Sequence, residues 1–178
     1  SETRNDLKFY IEHAQQSGGP VLEMGCGTGR VLIPTAKSGV NITGIDLSNN
    51  MLSICRRKLQ QESTNVQNRA KLVFGDIRNF NLRSKFKLVT IPAGTFELLI
   101  TVEDQLSCLE SVYRHLDPGG QFLLEVFDRD LNNLMSKNSE EESSKEPPYL
   151  MSNDTSVVVK SQNTAFNVLD QTTTTEII

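Results

Sequence analysis

Residues 21 to 30 read Val-Leu-Glu-Met-Gly-Cys-Gly-Thr-Gly-Arg. A short apolar run meets an acid, Glu23, and then glycines at alternate positions, Gly25, Gly27 and Gly29. Glycine turns the backbone tightly and lets a ligand approach with no Cβ in the way. A helix starting just beyond would offer unpaired N–H groups to that ligand. Strand, glycine turn and helix in this order predict a cradle for a nucleotide-like molecule. A dinucleotide fingerprint needs Gly-x-Gly-x-x-Gly. Counted from Gly25, its third glycine falls on Arg30, so the fingerprint fails. Glu23 would repel a pyrophosphate and would favour a ligand carrying an ammonium group. Asp46 stands 21 residues after Gly25 and closes a predicted strand. A carboxylate there can accept from both hydroxyls of a ribose. Asp76 follows Gly75 at the end of the next predicted strand, although Gly-Asp is also a common turn pair.

S-adenosylmethionine has an ammonium group, a sulfonium and no phosphate. The stretch Glu23-Met24-Gly25-Cys26-Gly27-Thr28-Gly29 resembles the first motif of the class I S-adenosylmethionine-dependent methyltransferases. Gly75-Asp76-Ile77-Arg78-Asn79-Phe80 resembles that family's segment after the third strand, and His115-Leu116-Asp117-Pro118-Gly119-Gly120-Gln121-Phe122 a later one. The likeness runs over about residues 5 to 130. It implies a cofactor site of Glu23, Gly25, Cys26, Gly27, Thr28, Gly29, Asp46, Leu47, Met51, Asp76, Ile77 and Ile91, with S-adenosylhomocysteine as product. In that pattern Met51 packs on the adenine, Asp76 accepts from its amino group, and the neighbour Ile77 donates a backbone N–H. Family members that methylate nucleobases or glutamine amides usually carry Asn-Pro-Pro-Tyr after the fourth strand. This chain has Ile91-Pro92-Ala93-Gly94, and Thr95-Phe96-Glu97-Leu98-Leu99 is more similar to members acting on small molecules. The expected partner is therefore a small-molecule acceptor. No catalytic residue is assigned: Asp128, Asp130, Glu97 and His115 could act as acids or bases, but each is expected to be solvated surface. A non-catalytic cofactor-binding module and a nucleotide-dependent oxidoreductase remain as alternatives.

Hydrophobic periodicity and stop signals predict the elements that must position these residues. A helix over 6–16 ends at Gly18-Gly19-Pro20. Strands follow over 20–24, 41–46, 70–74, 86–91 and 121–127. A helix over 30–38 contains Pro34, which predicts a kink or a shortened first turn. Ser48 should cap a helix burying Met51, Leu52, Ile54, Cys55 and Leu59. Thr101-Val102-Glu103-Asp104 resembles a capping box, opening a helix whose inner face is Leu106, Leu109, Val112, Tyr113 and Leu116. Strands alternating with helices predict an α/β fold, a doubly wound, mostly parallel Rossmann-like sheet with ligands beyond the strands' carboxyl ends.

At 178 residues the expected organisation is an α/β core over 1–134, a polar linker over 135–149 and an antiparallel β extension over 150–178. Two valine- and threonine-rich strands, 156–160 and 171–178, form the expected hairpin. The family fold has seven strands, so the chain is expected to be truncated, with 150–178 opening an insert over the acceptor site. Cys26, Cys55 and Cys108 lie far apart without metal-ligand spacing, so no metal and a reducing, cytoplasmic setting are expected. Net charge is −4 and the basic trio Arg56-Arg57-Lys58 reads as a solvated face, which argues against nucleic acid. No run approaches a membrane span and no signal-peptide pattern opens the chain. Oligomeric state is left open.

Overall fold

The computed structural model describes residues 6–127, 149–150, 156–157, 162–167 and 172–177. Contacts divide the chain into two compact units, Ser1–Val126 and Phe127–Ile178.

The first unit is built on five parallel strands: β1 (Val21–Met24), β2 (Ile42–Asp46), β3 (Ala70–Phe74), β4 (Phe86–Ile91) and β5 (Leu116–Leu124). Their order is β3-β2-β1-β4-β5, so the sheet reverses direction between β1 and β4. That reversal opens a crevice at the carboxyl ends of these two strands. β1 is buried along its whole length, as expected of a central parallel strand covered on both faces.

Helices α1 (Leu7–Ser17), α2 (Leu32–Lys37), α3 (Asn49–Gln60) and α4 (Thr64–Arg69) supply one apolar cluster, with Ala14, Leu32, Leu52, Cys55 and Val66 among its buried members. Helix α5 (Val102–His115) and the segment through Phe80 supply a second, including Phe80, Leu99, Cys108 and Val112. Gly18 ends α1 in the left-handed region at φ 67°, and its N–H donates to the Gln15 carbonyl. Pro34 sits in the first turn of α2, which starts two residues later than predicted. There its missing N–H interrupts no helix bond.

The structure differs from the sequence reading at several points. Helix α4 has only six residues, too few for an amphipathic period to show. The turn Asp117-Pro118-Gly119-Gly120 lies inside β5 as an irregularity: Phe86 pairs Leu116, and Leu88 next pairs Gln121. The strand then ends at Leu124, before 127. Helix α5 is rotated away from the predicted face. Cys108, Ser111, Val112 and His115 are buried, while Leu106, Leu109 and Tyr113 are exposed. Polar anchors set that rotation. The Ser111 hydroxyl donates to the Arg78 carbonyl at 2.9 Å, and His115 stacks on Phe80 with ring centres 4.3 Å apart. On α3, Met51 is exposed where a buried side chain was predicted.

In the second unit β6 (Tyr149–Leu150) pairs antiparallel with β7 (Ser156–Val157), and β8 (Gln162–Asn167) with β9 (Thr172–Ile177). The two predicted strands therefore pair with other segments and not with each other. The polar linker lies outside the described residues except for Tyr149, which opens β6.

Candidate functional site

The glycine turn after β1 is held almost entirely by the chain itself. Gly25 and Cys26 N–H groups both donate to the Ile45 carbonyl, at 2.8 and 3.1 Å. Gly29 N–H donates to the Cys26 carbonyl at 2.9 Å, and Gly27 N–H to Asp46 Oδ2 at 2.7 Å. A phosphate cradle needs such donors aimed outward. Here four are already used, so the turn suits a ligand without phosphate.

Gly29 and Gly27 divide the work. A Cβ on Gly29 would meet Cys55 Sγ at 2.5 Å, so this glycine lets α3 close on the turn, the packing role expected of the glycine replaced by Arg30. A Cβ on Gly27, at φ 53°, would meet nothing within 4 Å. Gly27 thus faces open space, where a ligand can approach the backbone.

Arg30 instead clamps the turn to the start of α1. Its guanidinium donates to both Asp6 oxygens at 2.8 Å, a bidentate pair of the stronger kind. Thr28 is tied too, because Lys58 Nζ donates to its hydroxyl at 3.1 Å. Lys58 is therefore not simply part of a solvated basic face.

Glu23 is only 2 % exposed, and its Oε2 has no hydrogen-bond partner among the described residues. Burial raises its carboxyl to about 8; the Arg30 charge opposes this and Asp46 adds to it. Glu23 is thus mostly protonated at neutral pH. This corrects the sequence argument that treated it as a standing negative charge. Burial, then the nearby Glu23, also pushes the Cys26 thiol far above its ordinary value, leaving it an unreactive filler of the turn.

Asp46 ends β2 with one bond on each oxygen: Gly27 N–H on Oδ2, and Ser48 N–H on Oδ1 at 2.8 Å. A carboxylate has about four acceptor sites, so one is left on each oxygen, the pattern a vicinal diol needs. Beside it Leu47 and Met51 are 59 % and 45 % exposed. Two uncovered apolar side chains at this position fit the face of a heterocycle. Ser48 caps α3 as predicted, its hydroxyl accepting from Met51 N–H.

Asp76 and Ile77 follow β3, and Ile91 closes β4, fully buried. Asp76 accepts from the Arg78 guanidinium, which holds its carboxyl below the usual range. The predicted capping box forms in part: Asp104 N–H donates to Thr101 Oγ1 at 3.1 Å, but the Asp104 carboxylate reaches Arg78.

Sequence reasoning missed Glu125 and Tyr10. Glu125 Oε2 accepts from the Tyr10 hydroxyl at 2.8 Å and from Ala93 N–H at 2.9 Å. It thereby joins α1 to the loop after β4, where Ala93 is held at φ 60°. No local pattern marks either residue, because the contact spans 115 positions. Of the suggested acids and bases, His115 is buried and structural. Its Nε2 accepts from Leu82 N–H at 3.1 Å, so the proton sits on Nδ1, facing the Ser111 carbonyl. Glu97 is half-buried on the 3-10 turn Thr95–Leu98, and Asp128 and Asp130 lie outside the described residues.

Residues 21–120 match the family described as a methyltransferase domain. The chain belongs to the class I S-adenosylmethionine-dependent methyltransferases. The chain is 31% identical over 122 residues to a cypemycin N-terminal methyltransferase of a Streptomyces species, covering 68% of this chain and 47% of that protein. It is 29% identical over 121 residues to a dTDP-3-amino-3,4,6-trideoxy-α-D-glucopyranose N,N-dimethyltransferase of Streptomyces venezuelae, covering 68% and 48%. The crystal structure of the glycopeptide N-methyltransferase MtfA with S-adenosylmethionine superposes with a TM-score of 0.66 at 26% identity, covering 99% of this chain and 71% of that one. The chain spans about half the length of these curated relatives. Among the described residues no helix is long and apolar enough to cross a membrane.

Proposed function

We propose that the protein transfers the methyl group of S-adenosylmethionine to a small-molecule acceptor. The carrying observation is the open cradle: Gly27 facing empty space, with Asp46 keeping one acceptor site on each oxygen beside exposed Leu47 and Met51. In this reading Gly25, Cys26, Gly27, Thr28 and Gly29 form the floor under the amino-acid end of the cofactor. Asp46 takes the ribose hydroxyls, Leu47 and Met51 cover the adenine, Asp76 and Ile77 read its edge, and Ile91 closes the pocket below. The orphaned Glu23 oxygen supports a nearby ammonium group.

The bound cofactor supplies an electrophilic methyl on a good leaving group, so the reaction is an in-line displacement. The protein then has mainly to hold donor and acceptor in line and exclude water, which can account for much of the rate. A general base is needed only where the nucleophile must lose a proton first. Some relatives act, by their names, on peptide and sugar amines, and others are ubiquinone biosynthesis O-methyltransferases; of these we extend the amine-bearing class to this protein.

Calorimetry with S-adenosylmethionine and with NAD tests the cofactor, and transfer of labelled methyl to amino sugars, peptide N-termini and phenols tests the acceptor. Binding of NAD in preference to S-adenosylmethionine would overturn the reading. Cofactor binding without transfer to any of the three classes would leave a binding module.

A further inference from the structure

We infer that the groove where the loop before β4 meets the end of α5 binds a small phosphorylated molecule, held by Arg83, Lys85 and Arg114. The groove has a volume of about 350 Å³ and is lined by Asn81, Arg83, Ser84, Lys85, Arg114 and His115. That volume is at the small end of the range for ligand sites, which suits a small molecule. The groove lies at the amino end of β4. The cofactor cradle lies at the carboxyl ends of the strands, and the six residues of β4 span about 20 Å between the two. The inference therefore does not depend on the proposed reaction.

Among the described residues, two that are not glycine hold a positive φ: Ala93 at 60° and Arg83 at 51°. Ala93 lies at the cofactor end of the sheet. Arg83 lies at the other end, where the proposed reaction gives it no role. A side chain in this region is uncommon and persists only where its surroundings over-determine it. Here they do. The Arg83 N–H donates to Asn81 Oδ1 at 3.0 Å, and the Ser84 hydroxyl donates to the Leu82 carbonyl at 3.2 Å. Buried His115, on α5, accepts from the Leu82 N–H at 3.1 Å. The loop is thus fastened to the helix, and Arg83 and Arg114 are set on one groove.

None of the three cations forms an ion pair among the described residues. Lys85 donates to the Leu116 carbonyl at 3.5 Å, and Arg114 donates to the Ser111 hydroxyl at 2.8 Å. The dipole of α5 also favours positive charge at this end. An ammonium has three donors and a guanidinium five, so most remain for a ligand. Three like charges gathered without a counter-ion repel one another, although the chain as a whole carries −4. A bound anion relieves that repulsion. Two guanidinium forks match the oxygens of a phosphate group better than they match a carbonyl or hydroxyl.

The probe is inorganic pyrophosphate. It is titrated by calorimetry at low salt into the parent protein and into Arg83→Gly, Lys85→Gln and Arg114→Gln, with and without S-adenosylhomocysteine. The parent should bind one pyrophosphate with a dissociation constant of about 1 mM or lower, and more weakly as salt rises. Arg83→Gly removes the cation but keeps a backbone that adopts a positive φ freely, so lost binding there is not lost folding. It should weaken binding about tenfold, the worth of one charged hydrogen bond. Arg114→Gln and Lys85→Gln should weaken it in the same direction. S-adenosylhomocysteine should leave the affinity unchanged. Competition between the two would place pyrophosphate in the cofactor cradle and overturn the inference. So would an absence of saturable binding, or equal binding in the parent and all three variants. Sedimentation with phosphatidylglycerol vesicles, lost in the same variants and without pyrophosphate binding, would replace the small ligand with a membrane surface.

Discussion

Glu23 is buried to 2 % exposure and titrates near 8, well above the ordinary carboxyl value of 4.5. The folded protein therefore holds a proton that the unfolded chain has already released. Stability from this group is fully present below about pH 4.5 and is lost as pH rises through about 8. Thermal melts of the unliganded protein should fall between pH 5 and 9, and Glu23→Gln should flatten that slope. A slope unchanged in the variant would show that Glu23 does not titrate in this window. Placing an ammonium group against Glu23 favours the carboxylate, so cofactor binding near neutral pH should release close to one proton in the parent. Calorimetry in buffers of different ionisation enthalpy would count it. Asp46 makes a sharper residue-scale case. Its two remaining acceptor sites would each take a hydrogen bond to a charged group, worth about 1.5–3 kcal/mol apiece. Asp46→Ala should therefore weaken S-adenosylmethionine by about 100-fold or more, with circular dichroism confirming that the fold survives.

At the scale of elements, two long-range polar contacts do what the apolar pattern cannot. His115 and Ser111 fix the rotation of α5, so the residues that hold the helix down are not its most hydrophobic ones. Leu106→Gln, on the exposed side, should change stability by no more than about 0.5 kcal/mol. Val112→Ala should cost about 1–2 kcal/mol through loss of buried methyl groups. Equal losses in urea unfolding would contradict the observed rotation. The Glu125 carboxylate plays the corresponding part between α1 and the loop after β4. Glu125→Ala leaves the Tyr10 hydroxyl and Ala93 N–H without their acceptor, a loss of about 1–3 kcal/mol. Tyr10→Phe, which removes only a donor, should lose less.

Across the whole molecule, ligand binding and folding are linked, because the proposed cradle is made of residues from four strand ends that meet only in the folded state. S-adenosylmethionine at 100 times its dissociation constant should stabilise the protein by about 2.7 kcal/mol. For a domain of this size that is a rise in melting temperature of about 5–10 °C. NAD at the same concentration should produce no such rise, since four of the turn's N–H donors are already used within the chain. Equal shifts with both ligands would contradict the choice of cofactor.

The alternating strands and helices and the glycine turn after β1 were legible in the sequence because their causes are local. Glycine spacing, caps and buried strand runs act over a few residues. Asp46 and Asp76 could be placed because parallel strands deliver their last residue, or one just beyond it, to one end of the sheet. The rotation of α5, the short α4 and the partners of Arg30, Arg78 and Glu125 could not be read in this way. Helix α4 holds too few residues for a period to show, and the rotation of α5, the Arg30–Asp6 and Arg78–Asp104 pairs and the contacts of Glu125 depend on side chains brought together from distant positions, which no local period records. The same holds for Glu23. By its type and place the sequence determined that an acid stands at the start of the glycine turn. Only tertiary packing decided that the acid is buried and its carboxyl pushed up to about 8, because desolvation is a property of everything packed around it.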